Sequence, residues 1–227
     1  MKKIFLLSAL AISAISFSFI GSDFEGKIVY TMSVDNANMP PEAKAMMQGS
    51  EFSIYMKGTK SRTDMNMMMQ NTTTISDAKT KTSVTLVEVM GNKYKIKNDE
   101  TKNETEKMPD VTVKNLDETK MIAGYKCKKA ELTIKDKTGK AVTTNIYYCE
   151  EITNSMGHDK RSYQFKNIKG MPLEYEINAD NGMKMKMTAK SVSKESVPDS
   201  KFEIPSGYKE TTVEEMQKDM MKMMQGQ

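Results

Sequence analysis

The sequence is poor in aromatic side chains: among its 227 residues it has no tryptophan, nine tyrosines and seven phenylalanines. Sites that stack sugars or nucleic-acid bases depend on aromatic rings, so this scarcity argues against both kinds of site. Charges of either sign are not in excess, because the formal net charge is +4 and Lys2 and Lys3 contribute two of those charges. A balance of this kind does not indicate nucleic acid or a strongly acidic partner.

Residues that carry catalysis are equally scarce. The only histidine, His158, lies in the stretch NSMGHDKRS, which is typical of a polar turn where a histidine is solvated. The sequence contains no GxSxG, HExxH, Walker or dinucleotide-binding motif. Its carboxylates form no isolated pair with a reason for unequal pKa values. We therefore predict a protein that is not an enzyme and has no cofactor.

A long apolar run occurs only at the start of the chain. MKKIFLLSALAISAISFSFIGS has two lysines, an apolar stretch and then small residues, which is typical of a secretory signal peptide. No cysteine lies near its end, and no later stretch reaches the roughly 18 apolar residues that a membrane span needs. We therefore predict a signal peptide over 1–22 and a soluble periplasmic or secreted protein without a lipid anchor. A single β domain is predicted over 23–210, with a helix over 211–227 packed on it or covering it.

Alternating apolar and polar residues dominate the chain after this point and predict half-buried strands. Between the first two strands, NMPPEAKAMMQG predicts a short helix that begins near Asn38 and ends at Gly49. The polar stretch from Asn98 to Asp110 predicts a long exposed loop. The inward-facing residues expected in the first two strands are Ile28, Tyr30, Met32, Val34, Phe52, Ile54 and Met56.

The two cysteines flank a predicted β-hairpin. In CKKAELTIKDKTGKAVTTNIYYC, Gly139 can close a three-residue loop in the left-handed conformation. That loop places Leu132 opposite Thr144, Ala130 opposite Ile146, and Cys127 opposite Cys149. Directly opposed residues have Cα atoms about 4.5 to 5.5 Å apart, a separation that a disulfide can bridge. In an exported protein the sequence therefore predicts a Cys127–Cys149 disulfide, worth roughly 3 kcal/mol of stability in the chain-entropy model.

A second hairpin is predicted around MKMKM, from Met183 to Met187. A two-residue turn would put Lys184 and Lys186 on the core side of the sheet. A three-residue loop from Asp180 to Gly182 instead places Met185 opposite Ile177, Met187 opposite Tyr175, and Lys186 opposite Glu176. We adopt this register, in which Met183, Met185 and Met187 all face inward.

The chain ends in a predicted amphipathic helix. In ETTVEEMQKDMMKMMQGQ, Thr212 and Glu215 fit a capping box, and Glu214 precedes Lys218 by one turn. Apolar residues recur at spacings of three and four and make one stripe. That stripe consists of Val213, Met216, Met220 and Met223, widened by Met221 and Met224.

The segments ETKMIAGYKCKKAEL, NIYY, FKNIKGMPLEYEI and VPDSKFEIPSGYK follow one another between Glu118 and Lys209. In this order they resemble exported bacterial proteins of unknown function related to the GLPGLI family. The chain departs from that pattern at Met171, where leucine is expected, and at Tyr147 and Tyr148, where relatives carry tryptophan, which favours a sister branch. The resemblance implies a LolA-like fold, as in periplasmic lipoprotein carriers: a large curved antiparallel sheet, an open half-barrel with helices on its concave face.

The 23 methionines are the most unusual feature of the composition. They can be ordinary core residues, the lining of an adaptable groove for a hydrophobic ligand, or soft ligands for copper(I) or silver. Metal sites of that kind commonly recruit histidine or a free cysteine, and the predicted inward register turns the sulfurs away from water. We therefore predict a monomeric binding or carrier protein for a lipid, lipoprotein or other hydrophobic ligand, with the terminal helix covering the ligand-binding face. The first alternative is a protein that binds copper(I) or silver. The second is a structural or stress-related envelope protein without a ligand. The predicted ligand-contacting residues are Met65, Met67, Met69, Tyr175, Ile177, Met183, Met185, Met187, Met216, Met220 and Met223.

Overall fold

A computed structural model describes residues 22–35, 50–67, 70–98, 110–135, 139, 141–152, 163–165, 167–178 and 184–225. In these residues it contains twelve strands and one α-helix, with short 3-10 turns at Tyr163–Phe165 and Asp199–Phe202. The elements are β1 (Ser22–Asp35), β2 (Glu51–Gly58), β3 (Lys60–Met67), β4 (Gln70–Asp77), β5 (Thr82–Val89), β6 (Asn92–Asn98), β7 (Val111–Ile122), β8 (Tyr125–Lys135), β9 (Ala141–Cys149), β10 (Met171–Asn178), β11 (Lys184–Lys194), β12 (Lys209–Glu210) and α1 (Val213–Gln225).

All twelve strands belong to one sheet, in the order β12-β6-β5-β4-β3-β2-β1-β11-β10-β9-β8-β7. Every neighbouring pair is antiparallel except β12 and β6, which are parallel. Two meanders, β2 to β6 and β7 to β11, therefore lie side by side, and β1 joins them by pairing with both β2 and β11. The predicted mainly β fold, with one large antiparallel sheet and a C-terminal helix, is confirmed.

Both predicted hairpin registers are also confirmed. Leu132 pairs with Thr144 and Ala130 with Ile146, and Gly139 has a φ of 84°, in the left-handed region that the three-residue loop requires. On the second hairpin Tyr175 pairs with Met187, Glu176 with Lys186, and Ile177 with Met185.

One face of the sheet carries most of the buried apolar side chains, and we call it the inner face. In β1 and β2 it is formed by the alternate residues that the sequence pattern predicts, and each of them is at most 3% exposed. These residues are Ile28, Tyr30, Met32, Val34, Phe52, Ile54 and Met56. A large core, here named the central cluster, extends from β1 and β2 across β11, β10, β9 and β8. It includes six buried methionines: Met32, Met56, Met65, Met171, Met185 and Met187.

A second, smaller core lies at the other end of the inner face. This edge cluster consists of Val87 and Val89 of β5, Tyr94 and Ile96 of β6, and Met216 and Met220 of α1. Hydroxyl side chains separate the two clusters on β3, β4 and β5, and several bond to each other, as Ser76 does to Ser83 at 3.0 Å. This hydroxyl strip consists of the buried residues Ser61, Thr63, Thr72, Thr74, Ser76 and Ser83.

The last part of the chain, residues 195–225, wraps around the β6 edge of the sheet and is here named the C-terminal clasp. It first crosses the opposite, outer face, where the main-chain oxygen of Lys201 accepts a bond of 3.1 Å from Arg62 and Tyr208 donates to Glu88. β12 then pairs with β6. Finally α1 packs on the inner face, so the clasp contacts both faces of the same edge.

Three predicted features lie outside the described residues: the signal peptide up to residue 21, the helix from Asn38 to Gly49, and the loop over 99–109. Among the helices that are described, none combines the length and the apolar character needed to cross a membrane.

Candidate functional site

The methionines predicted to contact a ligand fall into two separate groups. Met65, Tyr175, Met185 and Met187 are buried in the central cluster, and Met67 and Ile177 are half-buried against it. Met216, Met220 and Met223 belong instead to the edge cluster. Met69 and Met183 lie outside the described residues. The structure thus divides one predicted surface into two, with the hydroxyl strip between them.

The register across β1, β11 and β10 brings the methionines of the central cluster together. Met32 pairs with Met187, and Met187 pairs on its other side with Tyr175. Met185 lies between Val34 and Ile177 in the same way. Sequence reasoning placed Met32 on the inner side of β1 but did not include it in the site, because pairing between β1 and β11 is not encoded in either strand alone.

Met32, Met185 and Met187, together with Tyr30 and Tyr175, are here named the methionine surface. Aromatic rings form its centre. The Tyr30 ring stacks on Phe52 with centroids 4.7 Å apart, and the Tyr175 ring makes edge contacts with Tyr30 at 6.1 Å and Phe165 at 5.2 Å. Tyr30 donates a hydrogen bond of 2.7 Å to the main-chain oxygen of Pro172. Burial raises the pKa of Tyr30 well above its ordinary value, with a smaller effect from Tyr175.

The hydroxyl of Tyr175 has no hydrogen-bond partner among the described residues, although the residue is only 1% exposed. Burial raises the pKa of Tyr175 above its ordinary value, so the hydroxyl keeps its proton. A buried donor without an acceptor costs about 1 to 3 kcal/mol. The centre of the methionine surface therefore holds a hydrogen-bond donor, the Tyr175 hydroxyl, that a bound molecule could engage.

Glu174, next to Tyr175 on β10, points to the outer face. Its carboxylate accepts bonds from Lys120 at 2.9 and 3.1 Å and from Thr188 at 3.3 Å, and forms an ion pair with Lys186 at 3.0 Å. Burial alone raises the pKa of Glu174, but the two ammonium groups outweigh it and the pKa is lowered. Lys186 is thus held on the outer face, as the three-residue loop predicts.

The two cysteines are free and buried in the structure, so the predicted disulfide is not formed there. Cys127 directly precedes Lys128, and Cys149 directly follows Tyr148. Because Lys128 pairs with Tyr148, the two cysteines lie at opposed positions at the end of the β8–β9 ladder. Burial and then the neighbouring Cys149 raise the pKa of Cys127 to about 12. The disulfide stays a prediction for the oxidised protein.

Among the described residues, the terminal helix packs on the edge cluster and not on Met185 and Met187. Its role as a cover over a ligand surface stays a prediction. β12 fixes the start of α1 beside β6, where Thr211 N donates to the main-chain oxygen of Lys95 at 3.0 Å. The capping box is confirmed, because Glu215 N donates to Thr212 Oγ1 at 3.2 Å and Thr212 N to Glu215 Oε2 at 3.3 Å. The apolar stripe is narrower than predicted, since Val213 is 39% and Met221 52% exposed.

Two cavities lie away from Tyr175, Met185 and Met187. One of about 240 Å³ is lined by Met67, Met90 and polar residues of the β3–β4 and β5–β6 hairpins. The other, of about 250 Å³, lies on the outer face between Arg62, Asp64, Glu88 and Tyr208. Within the described ranges, no three His, Cys, Asp or Glu side chains are grouped closely enough to hold a metal ion.

A family model described as a domain of unknown function (DUF4412) matches residues 24–208. Among solved structures, MucB is 10% identical with a TM-score of 0.36; the match covers 82% of this chain and only 58% of MucB. A LolA superfamily protein, NE2245 from Nitrosomonas europaea, is 10% identical with a TM-score of 0.35, over 80% of this chain and 90% of that one. No curated protein matches the sequence significantly. A relation to the GLPGLI family stays a prediction.

Proposed function

This chain belongs to the DUF4412 family, and we propose that it is an exported, non-enzymatic binding or carrier protein that holds a lipid or other hydrophobic ligand on its inner face. The ligand contacts the methionine surface around Met185, Met187 and Tyr175. α1 is not part of this surface.

The concentration of thioether side chains in one core is the observation that supports the proposal. Six methionines are buried in the central cluster, and three of them, Met32, Met185 and Met187, lie on the neighbouring strands β1 and β11. Methionine is unbranched and polarisable, so it adapts its rotamers to irregular neighbours. A core built from such residues can repack around a guest at a lower cost than one built from branched side chains.

The test is native mass spectrometry, with solvent extraction, of full-length protein purified from the periplasm of an expressing cell. We expect a bound hydrophobic molecule that is released by organic solvent. The double variant Met185→Ala/Met187→Ala should lose it, whereas Met221→Ala on the exposed side of α1 should retain it. Protein that carries no such molecule, and binds none when lipid vesicles are offered, contradicts the proposal.

A second variant separates ligand binding from soft-metal binding, which the same sulfurs favour. Met185→Leu/Met187→Leu keeps an apolar surface of similar volume but removes both thioethers. We expect this variant to keep its hydrophobic ligand. Stabilisation by copper(I) that is present in the wild type and lost in the leucine variant supports metal handling instead.

A further inference from the structure

The unpartnered hydroxyl of Tyr175 suggests which chemical class of ligand the inner face selects. Resting on the proposed function, we infer that the ligand is a neutral amphiphile: a hydrocarbon chain that carries an uncharged hydrogen-bond acceptor, such as an ester or amide carbonyl, which accepts the Tyr175 proton. Tyr175 is then the residue that determines specificity for the polar end of the ligand.

Of the two core tyrosines that contact each other, Tyr30 and Tyr175, only Tyr175 has a hydroxyl without a hydrogen-bond partner among the described residues. Its neighbour Tyr30 is also fully buried, but the Tyr30 hydroxyl is already engaged with the main-chain oxygen of Pro172. Tyr175 Oη lacks any such acceptor among the described residues. A ligand acceptor at Tyr175 removes the desolvation cost of the hydroxyl, whereas a pure hydrocarbon leaves that cost in place.

An uncharged ligand is favoured because, among the described residues, the cations near Tyr175 lie on the outer face of the sheet. Among the buried residues that the structure describes, none is a lysine or an arginine. Lys120 and Lys186 are close in the fold, but both bind Glu174 on the outer face. A carboxylate placed beside Tyr175 would have one hydrogen bond and no counter-charge in an apolar surrounding, which is strongly unfavourable.

The positions of Met187 and Ile146 say where the hydrocarbon lies. Both pair with Tyr175, so the tyrosine has an apolar neighbour on each of the two adjacent strands. Met32 continues the row beyond Met187. A chain bound here runs across β10, β11 and β1, with its acceptor at Tyr175 and its methylene groups on the thioethers.

The experiment compares three probes of equal chain length: a fatty-acid methyl ester, the ionised fatty acid and the corresponding alkane. Binding to the full-length protein is measured by displacement of an apolar fluorescent dye. We expect the wild type to bind the ester roughly tenfold more tightly than the alkane, since one such hydrogen bond corresponds to about one decade in affinity. The ionised acid should bind most weakly of the three.

Two tyrosine variants provide the matched comparison. Tyr175→Phe removes only the unpartnered hydroxyl and should abolish the preference for ester over alkane, with a melting temperature at or above that of the wild type. Tyr30→Phe removes a satisfied hydroxyl from the same cluster and should lower the melting temperature while the ester preference persists.

The outcomes separate this inference from the proposed function. If none of the probes binds, the proposed function is refuted. If ester and alkane bind equally to the wild type, or the preference survives in Tyr175→Phe, only the role of Tyr175 is refuted. Tightest binding of the ionised acid refutes a neutral ligand.

Discussion

At the scale of single residues, Glu174 is a buried carboxylate whose charge must be balanced by its lysine partners. Its side chain is 8% exposed, whereas its partners Lys120 and Lys186 are 45% and 43% exposed. The carboxylate thus depends on two cations that water can partly screen. Because hydrogen bonds to charged groups contribute about 1.5 to 3 kcal/mol, this group stabilises the junction of β7, β10 and β11.

We predict that Glu174→Gln lowers the free energy of unfolding at neutral pH by about 1 to 2 kcal/mol. The pKa of Glu174 in the folded protein lies below its ordinary value of 4.5. Its contribution is therefore fully present above pH 4.5 and is lost as the pH falls through the folded pKa. Urea unfolding as a function of pH measures this loss, which the glutamine variant should lack.

Glu176→Gln is the matched control, because Glu176 lies on the same strand and face but outside the hydrogen-bonded group. It should reproduce the stability and the acid dependence of the wild type. Equal acid dependence in the wild type and in Glu174→Gln contradicts the prediction.

The buried thiols predict slow, pH-dependent disulfide formation. Cysteines are oxidised through the thiolate, and burial with the nearby Cys149 raises the pKa of Cys127 to about 12. Few thiolates exist at neutral pH, so oxidation of the folded protein should accelerate as the pH rises towards that value. Mass spectrometry of protein exposed to oxidised glutathione measures the rate, and Cys127→Ser is the control. Unfolded protein should oxidise faster than folded protein, and the reverse order contradicts the prediction.

At the scale of elements, α1 offers a direct comparison between neighbouring methionines. Met220 is 9% exposed and lies in the edge cluster, whereas Met221 is 52% exposed. Met220→Ala should lower the free energy of unfolding by about 2 to 3 kcal/mol because it opens a cavity under the helix. Met221→Ala should change it by no more than about 0.5 kcal/mol. If Met220→Ala and Met221→Ala change the stability equally in thermal or urea unfolding, α1 does not pack on the edge cluster through Met220.

The hairpins could be predicted from the sequence because their information is local. Gly139 requires a left-handed turn, and the alternation of Met185, Lys186 and Met187 admits only one register that keeps lysine out of the core. The docking of α1 could not be predicted in the same way. An amphipathic stripe shows that a helix packs on something but does not name its partner, and the two residues of β12 that fix α1 beside β6 carry no strand pattern.

The candidate site was predictable in part for the same reason. Tyr175, Met185 and Met187 share one hairpin, so their common face follows from its register. Met32 and Met171 join them through pairing between distant strands and through core packing. The missing hydrogen bond of Tyr175 has no signal in the sequence, because it depends on where every neighbouring acceptor lies.

At the scale of the whole molecule, the hydroxyl strip separates two cores that should respond independently. We predict that truncation before Val213 exposes the edge cluster, so that β5 and β6 lose hydrogen-exchange protection and an apolar dye binds. The central cluster, as far as the structure describes it, contains no residue of α1, so β1, β10 and β11 should stay protected.

Peptide-resolved hydrogen exchange distinguishes these regions in a single measurement. Uniform loss of protection across β1 and β11 shows that the sheet unfolds as one unit and contradicts the separation. The full-length Met221→Ala variant serves as the control, since its exposed substitution should leave both regions protected.

The position of β1 also has a consequence for the time course of folding. Each meander pairs strands that follow closely in the chain, and such contacts form quickly because they close short loops. The pairing of Met32 with Met187 instead joins β1, the first strand in the chain, to β11, the eleventh. The two meanders must therefore join through the pairing of β1 with β11. During synthesis, β1 cannot form this pairing until β11 has emerged, when nearly the whole chain has been made. During that interval the methionine surface, whose two sides come from opposite ends of the sequence, does not yet exist.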